Sequence, residues 1–214
     1  MAFTPKDLLL YAITDRKNNS SELLYQQVEA ALKGGITCLQ LREKDLDRAH
    51  FLAEAKIIAD LCRTYRVPFF VNDNVEVALA SGADGVHVGQ DDLPIAEVRR
   101  LVGPDLLIGV TVHTPAEAEE AEAGGANCLG AGAMFATTTK TDAQPMSKDR
   151  LAAICEAVSI PVVAIGGISK QNMAELKGTG IAGFALVSAV FGATDIEAEC
   201  RDLYCRATAI IEGR

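Results

Sequence analysis

The stretch His87-Val88-Gly89-Gln90-Asp91-Asp92 runs from an apolar alternation into a glycine, an amide and two adjacent carboxylates. Neighbouring acids repel one another, so the pair is either a solvated turn, closed here by Leu93-Pro94, or a place for a cation. Another acid, Asp73, ends the run Pro68 to Asn72. If the runs before Asp73 and Asp92 are adjacent parallel strands, about 4.8 Å apart, their carboxylates can share one ion. Two carboxylates completed by substrate oxygens and water are the usual setting of Mg2+, so Asp73 and Asp92 are candidate metal ligands and Asp91 a solvated neighbour.

Three other stretches suit anions. In Cys38-Leu39-Gln40-Leu41-Arg42-Glu43-Lys44, strand alternation puts Gln40, Arg42 and, if the strand continues, Lys44 on one face, with Leu39 and Leu41 on the other. The leucines should meet helices, leaving an amide and two cations for a binding mouth; an ion-pair layer among Arg42, Glu43 and Lys44 is the plainer alternative. Thr137-Thr138-Thr139-Lys140 lies in the longest connection, residues 134–147, and offers hydroxyls and a cation to phosphate, although it lacks the glycines of a P-loop. Gly166-Gly167 precedes a helix that Ser169 could cap, an arrangement that lets backbone N–H groups approach a phosphate, and Ser188 adds a hydroxyl. His50 and His87 read as surface or packing residues, whereas His113 either serves a site or caps the next helix. None of the three histidines has zinc-ligand spacing with cysteine.

These residues need strands to carry them. Eight β-branched runs recur, at 8–14, 38–42, 68–72, 85–89, 107–112, 128–133, 161–166 and 183–188. Between them the spacing is helical: Leu24, Val28 and Leu32, entered through Asn19 and Glu22 in capping-box register; Phe51, Ala55, Ile58 and Cys62; and, last, Ile196, Cys200, Leu203 and Ala207. Eight strands alternating with about eight helices in 214 residues predict a (β/α)8 barrel spanning residues 1–214 as one domain. An open doubly wound sheet fits less well, because no G-x-G-x-x-G opens the first helix. Active sites of such barrels lie at the C-terminal strand ends, where Asp15, Asn72, Asp73, Asp92, Thr111 and His113 fall.

Composition narrows the partners. A formal charge of −9 opposes nucleic-acid backbones and anionic membranes, so any anionic ligand must be held by a few placed cations. No run approaches the roughly 20 apolar residues of a membrane span, and residues 1–7 do not resemble a signal peptide; the expectation is a soluble, cytoplasmic protein. The six cysteines lack C-x-x-C pairing and read as reduced and structural. The closing residues 211–214 match a protease-cleavage remnant as well as a helix end, and carry no function.

The motifs at 40–45, 71–92, 137–143 and 162–169 occur in an order that resembles the thiamine-phosphate synthases, over nearly the whole chain, and also their thiazole-tautomerase relatives. The resemblance implies a (β/α)8 barrel that joins hydroxymethylpyrimidine diphosphate to thiazole phosphate, with Mg2+ as cofactor and release of pyrophosphate. By motif it implies pyrimidine-diphosphate contacts from Gln40, Leu41, Arg42, Glu43, Lys44, Asn72 and Lys140, with Asp73 and Asp92 on the metal. Thr137, Thr138, Thr139, Gly167, Val187 and Ser188 would meet the thiazole phosphate. It further implies a dissociative substitution, in which diphosphate leaves before the thiazole nitrogen attacks, so positive charge matters more than a base. Thr111 stands where a serine is usual and keeps the hydroxyl for the pyrimidine; the proline usual before the threonines is missing, and residues 144–150 lack a glycine common there. A tautomerase would instead use His113 for proton transfer and have no need of the metal and diphosphate set, and a catalytically silent ligand-binding barrel would need neither.

Overall fold

The computed structural model describes residues 3–16, 21–137 and 145–213. Eight parallel strands close into a barrel in sequence order. They are β1 (Leu10–Ile13), β2 (Cys38–Leu41), β3 (Phe69–Asn72), β4 (Gly85–Val88), β5 (Leu107–Val112), β6 (Cys128–Gly132), β7 (Val162–Ile165) and β8 (Gly183–Leu186). Closure is made by β1, which pairs with β2 on one side (Tyr11 beside Cys38) and β8 on the other (Tyr11 beside Ala185). The strands are shorter than their apolar runs because the flanking residues bend away: Leu8 belongs to a 3-10 turn, Pro5–Leu8, below the barrel. Asn19 lies outside the described residues, and with it the capping pair expected there.

The helices are α1 (Ser21–Lys33), α2 (Arg48–Tyr65), α3 (Val75–Ser81), α4 (Ile95–Val102), α5 (Pro115–Ala123), α6 (Lys148–Ala157), α7 (Ser188–Phe191) and α8 (Ile196–Glu212). Short polar side chains start many of them by taking otherwise unpaired first-turn N–H groups. Asp47 accepts from Ala49 and His50 N–H, Asn74 from Val77, Thr114 from Glu117, Ser147 from Arg150 and Asp195 from Ala198. Thr114, not His113, is therefore the cap of α5. The expected apolar faces are the buried ones: Leu24, Val28 and Leu32 on α1, Phe51, Ala55, Ile58 and Cys62 on α2, and Ile196, Cys200, Leu203 and Ala207 on α8. Each fully buried aliphatic side chain there contributes about 1.5–3 kcal/mol of transfer free energy.

Strand alternation divides the apolar residues into two clusters. Leu39, Leu41, Val86, Val88, Val110 and Val112 face outward onto the helices. Tyr11, Cys38, Phe70, Cys128, Val163 and Ala185 fill the barrel's interior, with Leu8 below them. All six cysteines are free; Cys38, Cys62, Cys128 and Cys200 are buried as small hydrophobes, and Cys205 is exposed. Burial pushes the Cys38 and Cys128 thiols up, away from thiolate chemistry. No described helix is long and apolar enough to cross a membrane.

One station departs from the expected repeat. In place of a helix capped by Ser169, β7 is followed by a loop and a single 3-10 turn, Met173–Leu176. Asn172 holds that loop by donating to the Gly167 carbonyl at 2.9 Å and accepting from Ser169 N–H at 2.8 Å. Its side chain uses the groups that a helix start would have organised.

Where β8 crosses the lower 3-10 turn, a Cβ on Gly183 would stand 1.9 Å from the Leu8 carbonyl oxygen and 2.6 Å from the Leu9 Cα, both rigid backbone. Gly183→Ala is expected to destabilise the fold by about 3 kcal/mol, read as a lower midpoint in urea unfolding at unchanged slope; an unchanged midpoint would mean that the turn yields freely.

Candidate active site

A cavity of about 630 Å3 opens at the C-terminal ends of the strands. Its first wall comes from β2 and the residues after it. Gln40 points into the barrel, 2% exposed, and its Nε2 donates to the Tyr11 hydroxyl at 2.9 Å. The strand ends at Leu41, yet Arg42 and Lys44 both reach the mouth. Arg42 is fixed through its backbone, whose N–H donates to Thr14 Oγ1 at 2.9 Å. Lys44 pairs with Asp73.

Leu41 and Glu43 do not line the cavity. Leu41 belongs to the outer cluster under the helices, as alternation requires. Glu43 turns away from Arg42 and Lys44 and meets Arg16, whose Nε lies 2.8 Å from Glu43 Oε2 and whose other nitrogen pairs with Glu54. Both carboxylates are almost fully buried. Burial pushes the Glu43 carboxyl up, against the pull of Arg16, while hydrogen bonds to Glu54 and Glu43 outweigh burial and hold the Arg16 guanidinium charged. The plainer alternative, an ion-pair layer among residues 42–44, is thus not what forms: Glu43 joins Arg16, after β1, in a bridge to Glu54 on α2.

The second wall is the junction of β3 and β4. The ladder pairs Asn72 with His87, and one rung further Asp73 N–H donates to the His87 carbonyl at 2.8 Å. Asp73 takes a left-handed backbone (φ 58°), a conformation that aspartate tolerates better than most residues. Asp92 Oδ2 accepts from Gly89 N–H at 2.7 Å. Burial raises the Asp92 carboxyl above its ordinary value; the Gly89 N–H opposes this, the Asp73 carboxylate adds to it, and Lys44 offsets part of it. The structure therefore brings Asp73 and Asp92 into mutual contact, and Asp91, exposed like Asp92, lines the same cavity beside them. No group of three or more histidine, cysteine or acidic side chains fit for a metal occurs among the described residues, so a metal here would be completed by ligand oxygens and water.

Below these acids lies His87, a functional neighbour and not the packing residue its flanking valines suggest. Alternation that sends Val86 and Val88 outward sends His87 inward, where it is 7% exposed at the cavity floor. Its Nε2 is 3.0 Å from Thr111 Oγ1, and its Nδ1 has no partner among the described residues. Burial pushes its pKa down to about 4, so the ring is neutral near pH 7. Gln90 donates to the Thr111 carbonyl at 2.7 Å. His113 also lines the cavity; its Nδ1 donates to the Gly132 carbonyl at 2.7 Å, which fixes the ring.

Apart from Arg150, the third wall is neutral among the described residues. Thr137, Gly167, Val187 and Ser188 all line it, together with Asn72 on the opposite side. Gly166 and Gly167 have φ of 97° and 64°, and a Cβ on Gly167 would lie 2.4 Å from the Ala136 carbonyl, so this corner admits only glycine. Val187 and Ser188 are not strand residues: β8 ends at Leu186 and Ser188 begins α7. Thr138, Thr139 and Lys140 lie outside the described residues. Arg150, on the first turn of α6, lines the cavity as well, and no local pattern in the sequence signalled it.

The architecture is that of a parallel barrel whose mouth joins a cation-and-carboxylate wall to a neutral wall built around glycine and serine, as in an enzyme that handles phosphorylated small molecules. Residues 10–190 match the family described as thiamine monophosphate synthase, and the chain belongs to that family. It is 45% identical over 197 residues to the thiamine-phosphate synthase of Ruminiclostridium cellulolyticum, covering 92% of this chain and 94% of that one. It is 48% identical over 198 residues to the thiamine-phosphate synthase of Chloroflexus aurantiacus, covering 92% and 91%. Among solved structures, a thiamine phosphate pyrophosphorylase from Pyrococcus furiosus superposes with a TM-score of 0.86 at 41% identity, over 95% of this chain and 98% of that one.

Among the described residues, the Thr111 hydroxyl is the one hydrogen-bond partner of a buried neutral imidazole. Thr111→Val is expected to leave His87 with both ring nitrogens unpaired and to cost about 1–3 kcal/mol, while Thr111→Ser stays within about 0.5 kcal/mol of wild type. Thermal unfolding of the three proteins at neutral pH checks this; equal stability would show that the contact carries no weight.

Proposed function

We propose that this chain is a thiamine-phosphate synthase, joining 4-amino-2-methyl-5-(diphosphooxymethyl)pyrimidine to thiazole phosphate with release of pyrophosphate. The observation that carries the reading is the division of one cavity: Arg42, Lys44, Asp73 and Asp92 on one wall, Gly167 and Ser188 on another. A diphosphate suits the first and a monophosphate the second. Gln40, whose amide nitrogen donates to Tyr11, keeps a side-chain carbonyl that can accept from an amino group. Thr111 adds a hydroxyl over the same floor.

Asp73 and Asp92 fit Mg2+: two hard oxygen donors in contact, with the Asp92 carboxyl raised partly by Asp73, are a pair that a cation would relieve. When bound, Mg2+ would supply positive charge to the diphosphate oxygens. The chain's own part is then electrostatic. Arg42 and Lys44, with Lys140 contributed by motif, would neutralise charge as it builds on the leaving pyrophosphate, and one shared cavity would bring the thiazole nitrogen to the pyrimidine carbon that loses it. No protein base is required for that substitution. Leu41 and Glu43 enter only through the backbone that carries Arg42 and Lys44. Substrates of this kind are small soluble metabolites, which favours the cytoplasm as the working compartment.

Incubating the protein with both phosphorylated substrates, with and without Mg2+, tests the reading: thiamine phosphate and pyrophosphate should form in equal amounts and only with the metal. Isomerisation of the thiazole alone would point instead to proton transfer by His113, and binding without turnover to a silent barrel.

A signature specific to the acid pair is also expected. Asp92→Asn keeps an oxygen for the Gly89 N–H and removes the repulsion from Asp73, so the variant should be at least as stable as wild type while losing about 100-fold or more in rate. Urea unfolding and Mg2+-dependent kinetics measured side by side check both halves. Wild-type activity in Asp92→Asn with loss in Asp91→Asn would reverse the assignment within the pair.

A further inference from the structure

The loop and helix that follow β6 bring a cation to the wall that is otherwise neutral. Met134 and Phe135 N–H donate to the Ile165 and Gly166 carbonyls, both at 2.9 Å, which ties the end of β6 to the corner after β7. Met146 N–H donates to the Ala133 carbonyl at 2.6 Å, so the chain returns to the same corner just before α6 begins. Ser147 then caps α6 by accepting from Arg150 N–H at 3.2 Å. With its backbone pinned four residues from that anchor, Arg150 extends into the cavity that Gly167 and Ser188 also line.

Arg150 is out of place by the rules of helix stability. A cation in the first turn opposes the helix dipole, and α6 carries Lys148 and Arg150 there against the single favourable charge of Asp149. Among the described residues no carboxylate pairs with it to offset this, whereas Lys44 is held by Asp73 and Lys170 by Glu199 at 2.7 Å. On the side of the mouth formed after β6, β7 and β8, it is the cation that lines the cavity among the described residues. It also falls in residues 144–150, the stretch that departs from the family's pattern.

We propose that Arg150 is the counter-charge for the phosphate of the thiazole substrate, and the residue by which this chain distinguishes the phosphorylated thiazole from its free alcohol. The inference rests on the proposed function for the identity of the substrate, and it adds a charged, specificity-determining contact to a subsite otherwise described by hydroxyls and backbone. A guanidinium offers two parallel donors to a phosphate, and its attraction is lost when the phosphate is absent.

Calorimetric titration of thiazole phosphate and of the thiazole alcohol into wild type, Arg150→Ala and Arg150→Lys tests this without requiring turnover. Arg150→Ala is expected to weaken thiazole phosphate about tenfold and leave the alcohol unchanged, with Arg150→Lys in between and the difference shrinking as KCl is raised. In steady-state kinetics the KM for thiazole phosphate should rise while the KM for the pyrimidine diphosphate holds. Equal weakening of phosphate and alcohol, an effect confined to the pyrimidine diphosphate, or no effect would overturn the proposal. A wild type that binds thiazole phosphate through Arg150 but makes no thiamine phosphate would overturn the synthase reading and leave this one standing.

Discussion

Closure of the barrel is the constraint on which the rest depends. Because β1 pairs with both β2 and β8, all eight strands run the same way and all end at one mouth. Residues far apart in the chain, such as Gln40, Thr111 and Ser188, become neighbours of one cavity for no reason other than being at or just past the end of a strand. The same closure separates side chains by parity: Leu41 and Val88 go to the helices, Gln40 and His87 to the interior. A one-residue slip in any strand would exchange those sets, so the core and the site are specified together.

Charge at the mouth is organised by pairs and not by the total. The chain carries a formal charge of −9, yet among the described residues its cavity matches Asp73, Asp91 and Asp92 with Arg42, Lys44 and Arg150. Lys44 takes up Asp73, which leaves Asp92, exposed at the rim, as the acid whose partial desolvation and proximity to Asp73 raise its pKa. Arg16 does similar work one layer behind, where its guanidinium lies between Glu43 and Glu54. That bridge joins the segment after β1 to the segment after β2 and to α2, so the backbone presenting Arg42 and Lys44 is braced from behind.

Much of this was legible in the sequence. The eight strands, the apolar faces of α1, α2 and α8, and the inward direction of Gln40 and Arg42 follow from periodicity alone, because parallel strands and amphipathic helices impose fixed periods. Asp73 and Asp92 were legible as a pair once β3 and β4 were taken as neighbours. Other features depended on tertiary context. Glu43 could not be assigned to Arg16 from spacing, since the partners are 27 residues apart. His87 obeys the alternation rule applied to Gln40, and was set aside only because flanking valines suggest packing. Arg150 had no local signal at all; it reaches the mouth because Met146 is anchored to Ala133.

The station after β7 breaks the repeat, with a four-residue 3-10 turn where other stations carry helices of up to 18 residues. The barrel's outer wall is therefore thinnest beside the corner of Gly166 and Gly167, and one side chain, Asn172, replaces most of the organisation a helix would give. A wall of that kind would be expected to open locally at lower free energy than the α2 side, with amide hydrogens there exchanging sooner than those under longer helices. The cavity thus has a stiff rim and a compliant one, and a ligand seated on the compliant rim would protect it by binding. Local stability, in this barrel, is distributed around the mouth as unevenly as charge.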